Sequence, residues 1–358
     1  MNPSPDNRKT RRPSLKQVAE RAGVSLATAS YALQNHPKIS EGKRRHVQEV
    51  AERLGYRANA TVSRLMAELR ADQLGDSTIA WINCHPNRDI YTTVPWLRGW
   101  LTGARNRADQ LGYGFEEFWL HEEGMTPERL REILINRGIA GVILAPTWST
   151  QGIAPINLSA FPVVSVSGVF SDPVIHQACT NSYANVVLAL EEMSRLGYRR
   201  IGLFSHLLGR ELAVRQVAGA FLEWQRDLPV SARSTPLIYE ERARDAEAVF
   251  LKWVKKNRFD AILSTGSKPR EWLLKGGLQV PQDMGLAHLN LAEDVTGWAG
   301  INPLLDQVAG AAVDLLIGQI QRHEAGAPLV PKITTISGVW VAGETLRDQG
   351  GAVSTVAV

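Results

Sequence analysis

Lys43, Arg44, Arg45 and His46 fall within one turn at the start of a helical stretch, a density of positive charge suited to phosphate oxygens. The same cluster also reads as a solvated basic turn. It belongs to an unevenly charged chain: residues 1 to 64 carry thirteen Lys or Arg against five Asp or Glu, a net of +8, and the remainder carries twenty-seven against thirty-one, a net of −4. A basic head on a mildly acidic body predicts that a polyanion meets the head alone. Charge by itself leaves open a basic helical domain with no nucleic-acid partner. The side chains suited to acid–base chemistry are Asp172, His176, Asp283, His288 and Asp294. No nucleophile elbow, phosphate loop or metal motif organises them, so each is expected to be structural or solvated, and the chain is not expected to be an enzyme. Cys84 and Cys179 lack Cys-x-x-Cys spacing and read as buried small hydrophobes in a reducing cytoplasm, and the eight histidines lack ligand spacing. No metal and no cofactor is expected.

The elements that must carry these residues follow from pattern. With 358 residues and no apolar run of eighteen, two or three domains and no membrane span are expected. Residues 1–13 are polar and basic, with no apolar core, and read as a disordered arm rather than a signal peptide. Leu15, Val18, Ala19 and Ala22 have helical spacing behind Ser14, a candidate N-cap; Gly23 stops that helix. Ser25 can cap a second helix running to Leu33, and Ser40 a third whose buried stripe is Val47, Val50, Ala51 and Leu54. Two short helices joined across Ala22-Gly23-Val24-Ser25 fit a helix-turn-helix. Beyond Ser77, strands are expected at 78–84, 140–145, 163–167, 200–204, 261–264 and 285–289. Helices are expected at 96–110, 127–136, 183–196, 212–226, 245–256 and 304–321. That alternation predicts parallel α/β sheets with crossover helices.

Residues 15–25, then Thr28, Ser30, Leu33, Ile39-Ser40, Arg44, Val47, Leu54, Gly55, Tyr56 and Asn59, resemble in order the DNA-binding head of the lactose- and purine-repressor family of regulators. Weaker landmarks continue the resemblance along the body, among them Pro95-Trp96, Gly103, 138–143, 196–201, 259–262 and 280–283. The resemblance implies an all-α helix-turn-helix head followed by an α/β, periplasmic-binding-protein-like body of two Rossmann-like subdomains. It divides the chain into the basic arm at 1–13, a helix-turn-helix domain at 14–57, a hinge helix and linker at 58–76, and an effector-binding and dimerisation domain at 77–358. The body divides further into subdomain one, 77–177 and 304–332, and subdomain two, 178–303 and 333–358.

The same resemblance makes 25–33 the recognition helix in the major groove of double-stranded operator DNA. Ser25 and Thr28 offer hydroxyls to phosphate, Ser30 faces the backbone, and Leu26, Ala27 and Tyr31 read bases, the first two through thymine methyls. Ser14 and Arg44 complete the contacts of the head, while Asn59 opens the hinge helix and Leu65 stands at its minor-groove wedge position. Ala58 departs from the family, which often has Pro there.

The implied effector pocket departs further. Thr180 and Gln216 stand where many relatives carry Asp and Arg, with Asn181 and Arg215 adjacent, and Asn290 lies in an altered terminal-strand motif. Losing that carboxylate and guanidinium removes the fork that grips vicinal hydroxyls. Trp96, Trp148 and Trp298 fall near loops or helix starts that would line the cleft and could stack on a planar or sugar-like ligand, with core packing the equal alternative for Trp96 and Trp298. The expectation is a cytoplasmic, homodimeric, ligand-responsive repressor with a small uncharged effector. A periplasmic-type solute-binding or receptor module is the competing class, and the ordered head argues against it.

Overall fold

The computed structural model describes residues 13–33, 39–56, 77–146, 156–167, 174–206, 211–240, 243–292 and 295–350. The head consists of α1 (Leu15–Ala22), α2 (Leu26–Leu33) and α3 (Glu41–Arg53). Ser14 and Gln17 close a capping box at α1, with Ser14 Oγ accepting from Gln17 N and Ser14 N donating to Gln17 Oε1. Gly23 takes the left-handed backbone that ends the helix, at φ 64°. Small side chains at the crossing, Ala19, Ala22, Ala29 and Ala32, are buried with Val18, Val47, Val50 and Ala51.

The body is built on two six-stranded sheets. The first has the order β11 (Ile333–Ile336), β5 (His176–Thr180), β4 (Val163–Val166), β3 (Gly141–Leu144), β1 (Thr78–Asn83) and β2 (Gly114–Trp119), all parallel. The second has the order β12 (Val339–Val341), β10 (Ala299–Asn302), β9 (Gly285–His288), β8 (Ala261–Ser264), β6 (Ile201–His206) and β7 (Leu237–Tyr239), parallel except for β12. Both faces of each sheet are covered, as a parallel sheet requires. Along β1, Ile79 and Trp81 face one way, onto α5 (Pro95–Gln110) and α11 (Leu305–Arg322), after the short α4 (Ile90–Thr93). Ala80 and Ile82 face the other way, onto α6 (Pro127–Asn136). In the second sheet α7 (Ser182–Arg195) and α8 (Glu211–Trp224) cover one face, and α9 (Ala246–Asn257) and α10 (Lys268–Lys275) the other.

The six expected strands and six expected helices form within a residue or two of their anticipated ends. Six further strands, β2, β5, β7, β10, β11 and β12, and the helices α4 and α10 were not anticipated. The division between subdomains also shifts. Since β5 and β11 both pair in the first sheet, the chain crosses at Asn181 and again at 337–338, not at 177 and 332. The third crossing, between β10 and α11, falls at 303–304, next to the expected place.

Candidate nucleic-acid interface and effector cleft

At the start of α2, Ser25 Oγ accepts from Thr28 N at 3.1 Å and lies 2.8 Å from Thr28 Oγ1. One of the two hydroxyls must donate to the other, so one O–H remains to reach a phosphate beside the outward-pointing amides of the first turn. Leu26 is 48% exposed, so its apolar side chain is open to a partner. Ser30 and Tyr31 are half-buried, while Ala29 and Ala32 hold the opposite face in the core. The structure thus brings Ser25, Leu26 and Thr28 together at one helix end. The Ala27 side chain, Asn59, Leu65 and Trp148 lie outside the described residues.

Ser14 is occupied by its capping box. Lys43, Arg45 and His46 are exposed, with Arg45 3.2 Å from Glu41. Arg44, expected at a phosphate, is half-buried, and its Nη2 donates to Ile39 O at 3.1 Å.

Open parallel sheets bind ligands beyond the carboxyl ends of their strands. At or just beyond the ends of the inner strands the described residues include Cys84, Ala145, Ser167, Thr180, His206, Thr265, Asn290 and Asn302, with Arg88 and Asp89 a few residues beyond β1. Ser167 holds a left-handed backbone, φ 47°, at the end of β4, a strained conformation of the kind that collects at ligand sites. His206 Nδ1 and Thr265 Oγ1 are 3.1 Å apart, and Thr265 Oγ1 also accepts from His206 N. Sequence reasoning missed Ser167, His206 and Thr265; the available signal was that each falls within two residues of the end of an expected strand.

The expected effector residues are placed unevenly. Asn181 is turned to structural work: it caps α7 by accepting from Ala184 N at 3.1 Å, and its own N–H donates to Ile336 O at the crossover. Arg215 and Gln216 are exposed on α8. Asn290 Oδ1 accepts from Ala292 N and shapes its own loop. Trp298 is buried, edge-on to His288 with ring centroids 5.4 Å apart, so core packing wins over stacking on a ligand. Trp96 is half-buried against the first subdomain's core. A cavity of about 400 Å³ lies along the edge strand β2, lined by residues including Asn83 at the end of β1, Arg88, Asp89, Tyr91, Trp119 and Glu122.

The acid–base candidates are likewise engaged in structure. His176 Nδ1 accepts from Lys332 N, Asp283 Oδ2 accepts from Gln279 N, and His288 is wholly buried. Asp172 and Asp294 lie outside the described residues. Among the described residues no group of three or more His, Cys, Asp or Glu could hold a metal ion, and no helix is long and apolar enough to cross a membrane.

Residues 14–59 match the family model of bacterial regulatory proteins, lacI family. The HTH-type transcriptional regulator MalR of Streptomyces coelicolor is 25% identical over 195 residues, 53% of this chain and 52% of that protein. GalR of Escherichia coli is 40% identical over 62 residues, 17% of this chain and 18% of that protein. The chain thus spans about half the length, or less, of these curated relatives. The lac repressor dimer bound to operator and the anti-inducer ONPF is similar in fold, at TM-score 0.55 and 16% identity, over 94% of this chain and all of that one. So is the transcriptional regulator CelR in complex with cellobiose, at TM-score 0.51 and 15% identity, over 93% of this chain and all of that one.

Proposed function

We propose that this chain, a member of the lacI family of bacterial regulatory proteins, is a sequence-specific DNA-binding transcriptional regulator switched by a small effector. It acts in the cytoplasm as a homodimer, so that two heads read two half-sites of double-stranded operator DNA. The observation that carries this reading is the exposed start of α2, where the capped Ser25–Thr28 pair and Leu26 face solvent, in a head that also exposes the cations Lys43 and Arg45 at the start of α3. Hydroxyls, amides and cations take phosphate, and an apolar side chain at the helix start meets thymine methyls.

The effector is small, uncharged and sugar-like. The side chains directly at the strand ends support that class, because Ser167, Thr180, Thr265 and Asn290 offer hydroxyls and an amide that can hydrogen-bond a polyhydroxylated ligand without a fixed charge. The effector shifts DNA occupancy only by binding two arrangements of the subdomains unequally. A mobility shift with the upstream region of the protein's own gene, at two salt concentrations, tests the DNA-binding reading. Deleting residues 1–65 abolishes specific binding; specific retardation retained by the truncated protein overturns the reading.

A further inference from the structure

Arg44 and Gln48 stand one turn apart on α3 and reach the two ends of the connection between α2 and α3. Arg44 Nη2 donates to Ile39 O at 3.1 Å, just before α3, and Gln48 Nε2 donates to Ala32 O at 3.4 Å in the last turn of α2. Residues four apart share a helix face, and Val47 and Ala51 on that side are core residues. Ala32 O is one of the terminal helix carbonyls that lack an intrahelical donor, so Gln48 satisfies a group that would otherwise need another partner.

The guanidinium is committed inward as well. Arg44 Nε is buried with no hydrogen-bond partner among the described residues, whereas its neighbours Lys43 and Arg45 are exposed. Turning Arg44 out to a phosphate would forfeit the bond to Ile39 and leave that side of the head unfilled. The cations of this turn therefore divide their work, with Lys43 and Arg45 presenting charge and Arg44 holding geometry.

We propose that Arg44 and Gln48 are positioning residues, a clamp in which Gln48 ties the last turn of the recognition helix to α3 and Arg44 pins the entry to α3 at Ile39, and which sets DNA selectivity without touching DNA. This deepens the DNA-binding reading and rests on it. Tyr31, a base-reading residue in that reading, directly precedes the carbonyl that Gln48 holds, so freeing that end tilts the reading surface rather than removing charge from it.

The test uses the full chain. Wild-type protein first selects a duplex from a random pool. Wild type, Arg44→Met and Gln48→Leu are then titrated against the selected duplex and a scrambled one over a range of salt. Each variant is expected to lose about tenfold in affinity for the selected duplex and to keep wild-type affinity and salt slope on the scrambled one. Gln48→Leu changes no charge, so its selective loss supports the clamp independently, including where Arg44→Met fails to fold. A slope reduced by roughly 0.9 on both duplexes in Arg44→Met makes Arg44 a phosphate contact and overturns the clamp. Equal losses on both duplexes in Gln48→Leu, or none on either, overturn it too. If wild type selects no duplex, the DNA-binding reading itself has failed, and the clamp falls with it.

Discussion

His288 ends β9 with its ring wholly buried, Nδ1 accepting from Asn290 N at 2.9 Å and one ring edge on Trp298. An accepting Nδ1 belongs to the neutral ring, with its proton on Nε2. Burial, helped by the nearby His206, outweighs the backbone hydrogen bonds at Asn290 and Gly266 and lowers the pKa from 6.5 to about 4. In the unfolded chain the same imidazole titrates near 6.5. Between those two values the unfolded state binds the extra proton, so stability is complete above 6.5, falls as the pH drops through that window, and levels off below about 4. The gap corresponds to roughly 3 kcal/mol at its limit and roughly 2 to 3 kcal/mol at about pH 4.5. Urea unfolding followed by tryptophan fluorescence, at about pH 7.5 and about pH 4.5, measures it in wild type and His288→Gln. The wild-type midpoint is expected to move down by about 1 M more than the variant's over that interval. His85 and His176, also lowered chiefly by burial, remain in both proteins and cancel in the difference. Equal pH dependence in the two proteins refutes the assignment.

Two further perturbations probe the body and the head. A Cβ at Gly103 on α5 would lie 2.5 Å from Asp306 Cα and 2.7 Å from its carbonyl carbon on α11. Gly103→Ala must therefore push two helix backbones apart, at a cost of about 1 to 3 kcal/mol or more, seen as a drop of several degrees in calorimetric melting; an unchanged melt would show that this crossing is loose. In the head, replacing the exposed Lys43 and Arg45 by Gln should reduce the salt dependence of DNA binding by roughly 0.9 for each phosphate contact removed. A slope unchanged in the double variant would mean that this turn is solvated and takes no part.

What could be read from the sequence follows the range over which each feature is determined. The buried strands β3 and β8 are short apolar runs whose own residues announce them, and α6 and α7 begin at capping side chains, Thr126 and Asn181. The edge strand β2 reads Gly-Phe-Glu-Glu-Phe-Trp, with adjacent carboxylates that break any period; its pairing with β1 makes it a strand. β11 and β12 are mostly exposed or half-buried and hold their places by pairing with β5 and β10, neighbours more than thirty residues away in sequence.

The same distinction separates the two sites. The head's contact surface comes from one helix and one turn close together in sequence, so the order of Ser25, Leu26 and Thr28 already places them together. His206 and Thr265 follow strands β6 and β8, which lie almost sixty residues apart and are brought together only by pairing in the second sheet, and Ser167 ends β4 of the first. Residue type names the chemistry available, but competition among partners decides which is used. Asn181 is claimed by the Ala184 amide, Arg44 by the Ile39 carbonyl and Trp298 by the core. Each was chosen for a chemistry it could perform, and each had a nearer partner. On the proposed function, the half-buried strand-end residues Ser167, His206 and Thr265 are therefore the better guide to an effector, and the exposed Lys43 and Arg45 the better guide to phosphate.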